Sequence, residues 1–154
     1  MDGGFAENID IDNVAMTDVQ TPIFIRLGKR FDESKSPNTY LKDVKISNVS
    51  AISESMMTSS ITGVPGLYPE NISLSNINIT APGGGTSDMA NISVPEAEKE
   101  YPENRKLGTT MPAGGFYLRH ANNVTFSNVR FHFREPDYRP LFIQDDCTNI
   151  VGTF

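Results

Sequence analysis

One short pattern is written several times along this chain, and it restricts the fold more than any other feature. An Asn or Asp is followed by apolar residues one and three places on, by a second Asn at the fifth place, and by another apolar residue directly after that. The copies begin at Asn8 (NIDIDNVAM), Asp43 (DVKISNVSA), Asn71 (NISLSNINI) and Asn123 (NVTFSNVRF), and a fifth starts at Asn149 (NIVGTF). Within each copy the apolar pairs Ile9/Ile11, Val44/Ile46, Ile72/Leu74 and Val124/Phe126 keep the period of two that a strand with one buried face requires. At the second Asn (Asn13, Asn48, Asn76, Asn128) the phase slips by one residue. A straight strand would then turn Val14, Val49, Ile77 and Val129 outward. The chain is therefore predicted to bend at Asn, which tolerates left-handed backbone and bonds neighbouring amides through its side chain. Stacked bends would let the Asn side chains form a hydrogen-bonded ladder.

Successive copies start 35, 28, 52 and 26 residues apart, so a unit of about 26 to 28 residues with insertions in some turns is implied, as in a solenoid. No segment shows the three-and-four apolar spacing of a helical repeat. The expected fold is all-β: a single-stranded parallel β-helix of about four to five coils, rising about 4.8 Å per coil to a stack about 20 to 25 Å tall. Solenoid ends need caps, because an open coil offers unpaired edges and a bare core. Neither end supplies an obvious one, and residues 1–154 are expected to be one partial β-helix domain, a piece of a longer protein.

The net charge of −6 argues against general nucleic-acid binding, which relies on many Lys and Arg to neutralise phosphates. The single cysteine, Cys147, forms no intrachain disulfide, and no Cys/His cluster has zinc spacing, so neither metal nor cofactor is expected. No signal peptide is present and no apolar run approaches 18 residues, so no membrane insertion is expected.

Between the copies, Thr21-Pro22 opens a strand IFIRL in which Arg26 should point away from the core. Gly28 to Thr39 reads as a polar loop, and SSITGVPG (59 to 66) as a short strand closed by turn chemistry. The largest interruption runs from Thr80 to Met111, an inserted loop at about 80–112. Pro95 suits the start of a short helix through Glu96 to Glu100. Loops of this size on a regular scaffold are where ligand contacts usually sit.

Several residues suggest chemistry. Asp145-Asp146 is a carboxylate pair of the kind used in glycoside hydrolysis, but an isolated acidic pair more often closes a strand. His120 and His132 lack a mapped partner in sequence and read as packed or surface residues. Arg26, Lys29 and Arg30 form the clearest basic group, joined by Arg119 if the strands stack in register. Guanidinium matches carboxylate bidentately, so these residues suit an acidic sugar, although plain solvated charge is the commoner role for any one of them. Tyr101 and Tyr117 could stack on sugar rings or anchor the inserted loop. Sequons at Asn48, Asn71, Asn78, Asn91 and Asn123 read as by-products of the Asn pattern rather than as glycosylation sites.

Taken together, GGFAENIDIDNVAM, TPIFIRLGKR, SSITGVPG with ENISLSNINI, PEAEKEYPE and PAGGFYLRHANNVTFSNVRF ending in RPLFIQDD resemble the C-terminal coils of family 28 glycoside hydrolases. These are polygalacturonase-like, pectin-degrading enzymes. The resemblance implies a right-handed parallel β-helix and inverting hydrolysis of galacturonan or rhamnogalacturonan-type bonds, with a secreted or periplasmic parent protein. It implies catalytic Asp residues in Asn-Thr-Asp and Asp-Asp motifs, supported by His-Gly and Arg-Ile-Lys. Here Asn38-Thr39 is followed by Tyr40, His120 by Ala121, no Arg-x-Lys triplet occurs, and only seven residues follow the Asp-Asp-Cys at 145–147. Gly3-Gly4 resembles the segment just downstream of Arg-Ile-Lys. No catalytic residue is therefore assigned, and the chain alone is expected to be inactive. Arg26, Arg30, Arg119 and His120 are the expected substrate-binding residues, and acidic polysaccharide the expected partner. The alternative is a non-catalytic β-solenoid that binds acidic polysaccharide, or a scaffold that self-associates through its open coil ends.

Overall fold

The computed structural model describes residues 1–31 and 38–152. Residues 32–37 of the expected polar loop and the last two residues of the fifth copy lie outside them. The repeats form β1 (Phe5–Val19), β3 (Tyr40–Ser53), β5 (Glu70–Ala81), β6 (Phe116–Phe133) and β7 (Phe142–Gly152), with β2 (Phe24–Arg26) and β4 (Ser59–Thr62) between them. All pairings between these strands are parallel. One wall of the coil stack is β1-β3-β5-β6-β7, and a second is β2-β4-β6-β7. The long β6 belongs to both because it turns a corner at His120, with residues 116–119 on β4 and 122–133 on β5. This is a parallel β-helix.

The register stacks each copy on the next without a slip inside the repeat. Ile9, Val44, Ile72, Val124 and Ile150 form one column, and Val14, Val49, Ile77 and Val129 another. The bends fall where the phase changes. Asn8, Asp43, Asn71, Asn123 and Asn149 have φ of 52–56°, and Asn13, Asn48, Asn76 and Asn128 have 55–59°. At these corners the expected ladder forms. Asn123 Nδ2 donates to Asn71 Oδ1 at 2.6 Å and Asn71 Nδ2 to Asp43 Oδ1 at 2.8 Å. On the second corner Asn128 donates to Asn76 (2.8 Å) and Asn76 to Asn48 (3.0 Å). Asn48 then donates to Asp12 at 2.7 Å instead of to Asn13.

Ile61, Ile77, Leu118 and Val124 lie at the centre of the core with no exposed surface. Each such side chain contributes about 1.5–3 kcal/mol by burial. The interior is not aliphatic throughout, as the repeats alone suggest. Towards the last coils Phe116, Phe126, Phe131 and Phe142 pack with ring centroids 5.1–6.1 Å apart. Phe131 and Phe133 occupy columns that hold Ile79 and Ala81 one coil earlier, so aromatic side chains follow aliphatic ones there.

Between β5 and β6 the inserted segment has 3₁₀ turns at Ser87–Asn91 and Asn104–Leu107. The helix expected at 96–100 does not form. Ala97 adopts φ 49°, and the carbonyls of residues 94–97 accept hydrogen bonds from two buried arginines instead of from their own helix. The insertion lies on the outer face of the second wall. There Val94, Leu107, Met111 and Ala113 pack with Met57 and Tyr117 in a second apolar cluster.

Candidate functional site

The outer face of the second wall is built from two side-chain columns. One is Phe24-Ser60-Tyr117-Ile143, the other Arg26-Thr62-Arg119-Asp145. The register thus aligns Arg26 and Arg119 with Thr62 between them. Arg26 leaves the coil interior, as alternation requires, yet only 4% of it is exposed because the insertion covers it. Its guanidinium donates to Gly63 O (2.7 Å) and to Glu96 O (2.5 Å). Arg119, 3% exposed, donates to Val94 O (2.7 Å) and Pro95 O (2.8 Å), and its Nη1 lies 3.3 Å from Glu96 Oε1. Burial holds the Arg26 pKa below its ordinary value, and the neighbouring Arg119 charge acts in the same direction. Burial also pushes the Tyr117 hydroxyl up to about 12. Carbonyl dipoles and one carboxylate offset the two charges. Together they fix residues 94–97 on the wall.

His120 joins this group at the next corner, with φ 51°. Its Nδ1 lies 2.6 Å from Asp146 Oδ2 and its Nε2 3.2 Å from Glu96 Oε2. The Tyr68 ring meets the imidazole edge-on at 5.7 Å, and Tyr68 Oη donates to the same Asp146 oxygen at 2.5 Å. The Tyr68 bond, then the His120 bond, hold the Asp146 carboxyl below its usual range. Asp146 does turn the chain, with φ 47°, and the side chains of Tyr68 and His120 bond its carboxylate.

Arg30 stands apart, at the N-terminal rim. Its backbone N donates to Asp2 Oδ1 at 3.1 Å and its Nε to Asp2 Oδ2. The guanidinium carbon lies 5.4 Å from the Phe31 ring centroid and 5.1 Å from that of Tyr101. Of the four residues expected to bind substrate, then, Arg26, Arg119 and His120 converge on the 94–97 stretch, whereas Arg30 sits between two exposed rings.

A protein-family model described as glycosyl hydrolases family 28 matches residues 2–99, from the first coil into the insertion. The chain belongs to this family. No match to a curated protein or to a solved structure was found. As a member of family 28 the chain is of the polygalacturonase-like glycoside hydrolase type, whose substrates are polysaccharides. Arg26, Arg30 and Glu96 fall inside the matched region; Arg119, His120 and Asp145-Asp146 lie beyond it.

The repeats alone pointed to neither Glu96 nor Tyr68, nor to Asp146 as the partner of His120. A sequence signal for the latter two exists. Phe5, Tyr40, Tyr68, His120 and Asp146 each stand three places before the first Asn or Asp of a copy, so they fall at one corner of the stack. Glu96 carries no such signal, because the insertion has no counterpart in the other coils.

Proposed function

We propose that this chain supplies substrate-facing coils of a hydrolase acting on pectin-type acidic polysaccharide, polygalacturonan or rhamnogalacturonan, whose catalytic carboxylates lie outside residues 1–154. Such an enzyme would act outside the cytoplasm, secreted or periplasmic. The match to family 28 is the observation that carries this reading. The partly exposed Arg30 guanidinium supports the acidic character of the substrate, since guanidinium groups pair with carboxylates in a fixed fork geometry. Arg30 is the direct ligand contact in this reading. Arg26, Arg119 and His120 border the ligand through the insertion that they hold.

Binding and reducing-end release are measured on polygalacturonate and on a neutral glucan. The chain is expected to bind the acidic polymer, more weakly as salt is added, and to release no reducing ends by itself. Equal affinity for the neutral glucan would remove the acidic assignment. Turnover abolished by Asp145→Asn or Asp146→Asn would place the catalytic pair in this chain.

A further inference from the structure

The strongest unassigned feature is the group at the N-terminal rim, where the loop after β2 meets the insertion. Phe31 and Tyr101 remain 46% and 60% exposed although both are large aromatic residues, and each turns a ring towards the Arg30 guanidinium. About half of each ring's residue surface stays in solvent while the Arg30 guanidinium packs on it. The Arg30 side chain is 32% exposed, and Asp2 holds its Nε edge, which fixes the plane of the fork. Asp2 is itself nearly enclosed, with 11% of its side chain exposed, so the guanidinium is oriented rather than free to sweep. At Lys29, the residue before Arg30, a cavity of about 420 Å³ opens towards Thr39, the Val64–Leu67 turn and Glu98. That volume is within the range of small-ligand sites.

The geometry points to Phe31, Arg30 and Tyr101 as a subsite for one carboxylated pyranose unit. A uronic-acid ring has an apolar face of C–H groups and a carboxylate on its edge. An exposed aromatic ring suits the first, because its π-face is electron-rich and apolar. A guanidinium fork beside it suits the second. A neutral sugar would use only the rings, and a simple carboxylate only the fork. Neither Tyr101 nor Phe31 belongs to the repeat. Arg26 pins the insertion close by, through the carbonyls of Glu96 and Ala97, five and four residues before Tyr101.

This inference rests on the acidic-polysaccharide reading, and calorimetry on the whole chain separates the two. The probes are trigalacturonate and its fully methyl-esterified form. Arg30→Ala is expected to weaken trigalacturonate binding by about tenfold or more and to leave the ester unchanged, because only the charged partner is lost. Tyr101→Ala and Phe31→Ala are expected to weaken both probes by about three- to tenfold. Arg30→Lys, which keeps the charge but not the fork, should fall between wild type and Arg30→Ala. Its far-UV circular dichroism guards against a folding defect. Trigalacturonate binding that survives Arg30→Ala and Tyr101→Ala intact would overturn the subsite and leave the substrate class standing. No binding of trigalacturonate by the unaltered chain would overturn both.

Discussion

Two parts of this molecule are held by hydrogen bonds of opposite kinds. At the corners, an Asn of one coil bonds the Asn or Asp of the coil before it, so each side chain meets a near copy of itself. On the second wall, arginines bond backbone carbonyls of an insertion that occurs once, across 24 to 71 residues of sequence. The corners use side-chain amides at the surface, with Asp43 and Asp12 as carboxylate acceptors at the early coils, each bond contributing about 1 kcal/mol, and they gain by repetition. The wall uses charged donors that are almost wholly enclosed. Its bonds are stronger individually and costly to leave unmade. Repetition thus builds the scaffold, and a few enclosed charges fix the part that varies.

The contrast can be tested first where the insertion is tied down at both ends. Arg139 and Asp137 form a buried pair at 2.7 Å, with side chains 2% and 1% exposed. Arg139 also donates to Met111 O, near the end of the insertion, and Gly85, near its start, packs against both side chains. Arg139→Ala should cost about 3–5 kcal/mol, because it strands the Asp137 carboxylate in the interior. Urea denaturation gives the value. Hydrogen exchange should show the insertion loosening more than the corner ladders. Uniform loosening would mean that the two regions are not separately held.

A smaller effect is expected at the corner. Asn76 both donates and accepts in its ladder and holds φ 55°. Asn76→Ala should cost about 2–4 kcal/mol, from two lost bonds and a strained left-handed backbone. Asn76→Gly, which removes the strain but not the bonds, should cost about 2 kcal/mol. Equal losses for both variants would show that the ladder bonds, not the bend, carry the corner.

The smallest effect is in acid, at the corner that meets the insertion. Asp146 has a depressed pKa in the folded chain, held there by Tyr68 and then by His120, below the ordinary 3.8. The unfolded chain therefore binds more protons at this site. The stabilisation is complete above pH 3.8 and fades as the pH falls through the depressed value. Asp146→Asn, which cannot titrate, should flatten that part of a urea-midpoint profile measured between about pH 5 and pH 2. An unchanged acid limb would show that Tyr68 and His120 do not single this carboxylate out.

The legible parts of the fold share one property. Ile9, Val44, Ile72 and Val124 could be stacked on paper because strand alternation and a constant offset leave a single register that keeps them inside. The bends at Asn13, Asn48, Asn76 and Asn128 followed from the slip in phase at each of them. The short helix placed at Pro95 failed for a reason outside its own sequence, since its carbonyls are taken by Arg26 and Arg119. The isolated reading of His120 missed its two carboxylates. One sits a coil away at the same corner, and the other comes from the insertion.

By itself, then, the sequence determined the parallel coils, the columns of their interior and the left-handed corners, because each depends on local geometry repeated at a readable interval. Tertiary structure alone decided what covers Arg26 and Arg119, which carboxylates reach His120, and that Tyr101 comes to lie over Arg30. Those contacts join a segment without a repeat to a wall assembled from several coils. No local preference encodes where such a segment settles until the wall exists for it to pack against.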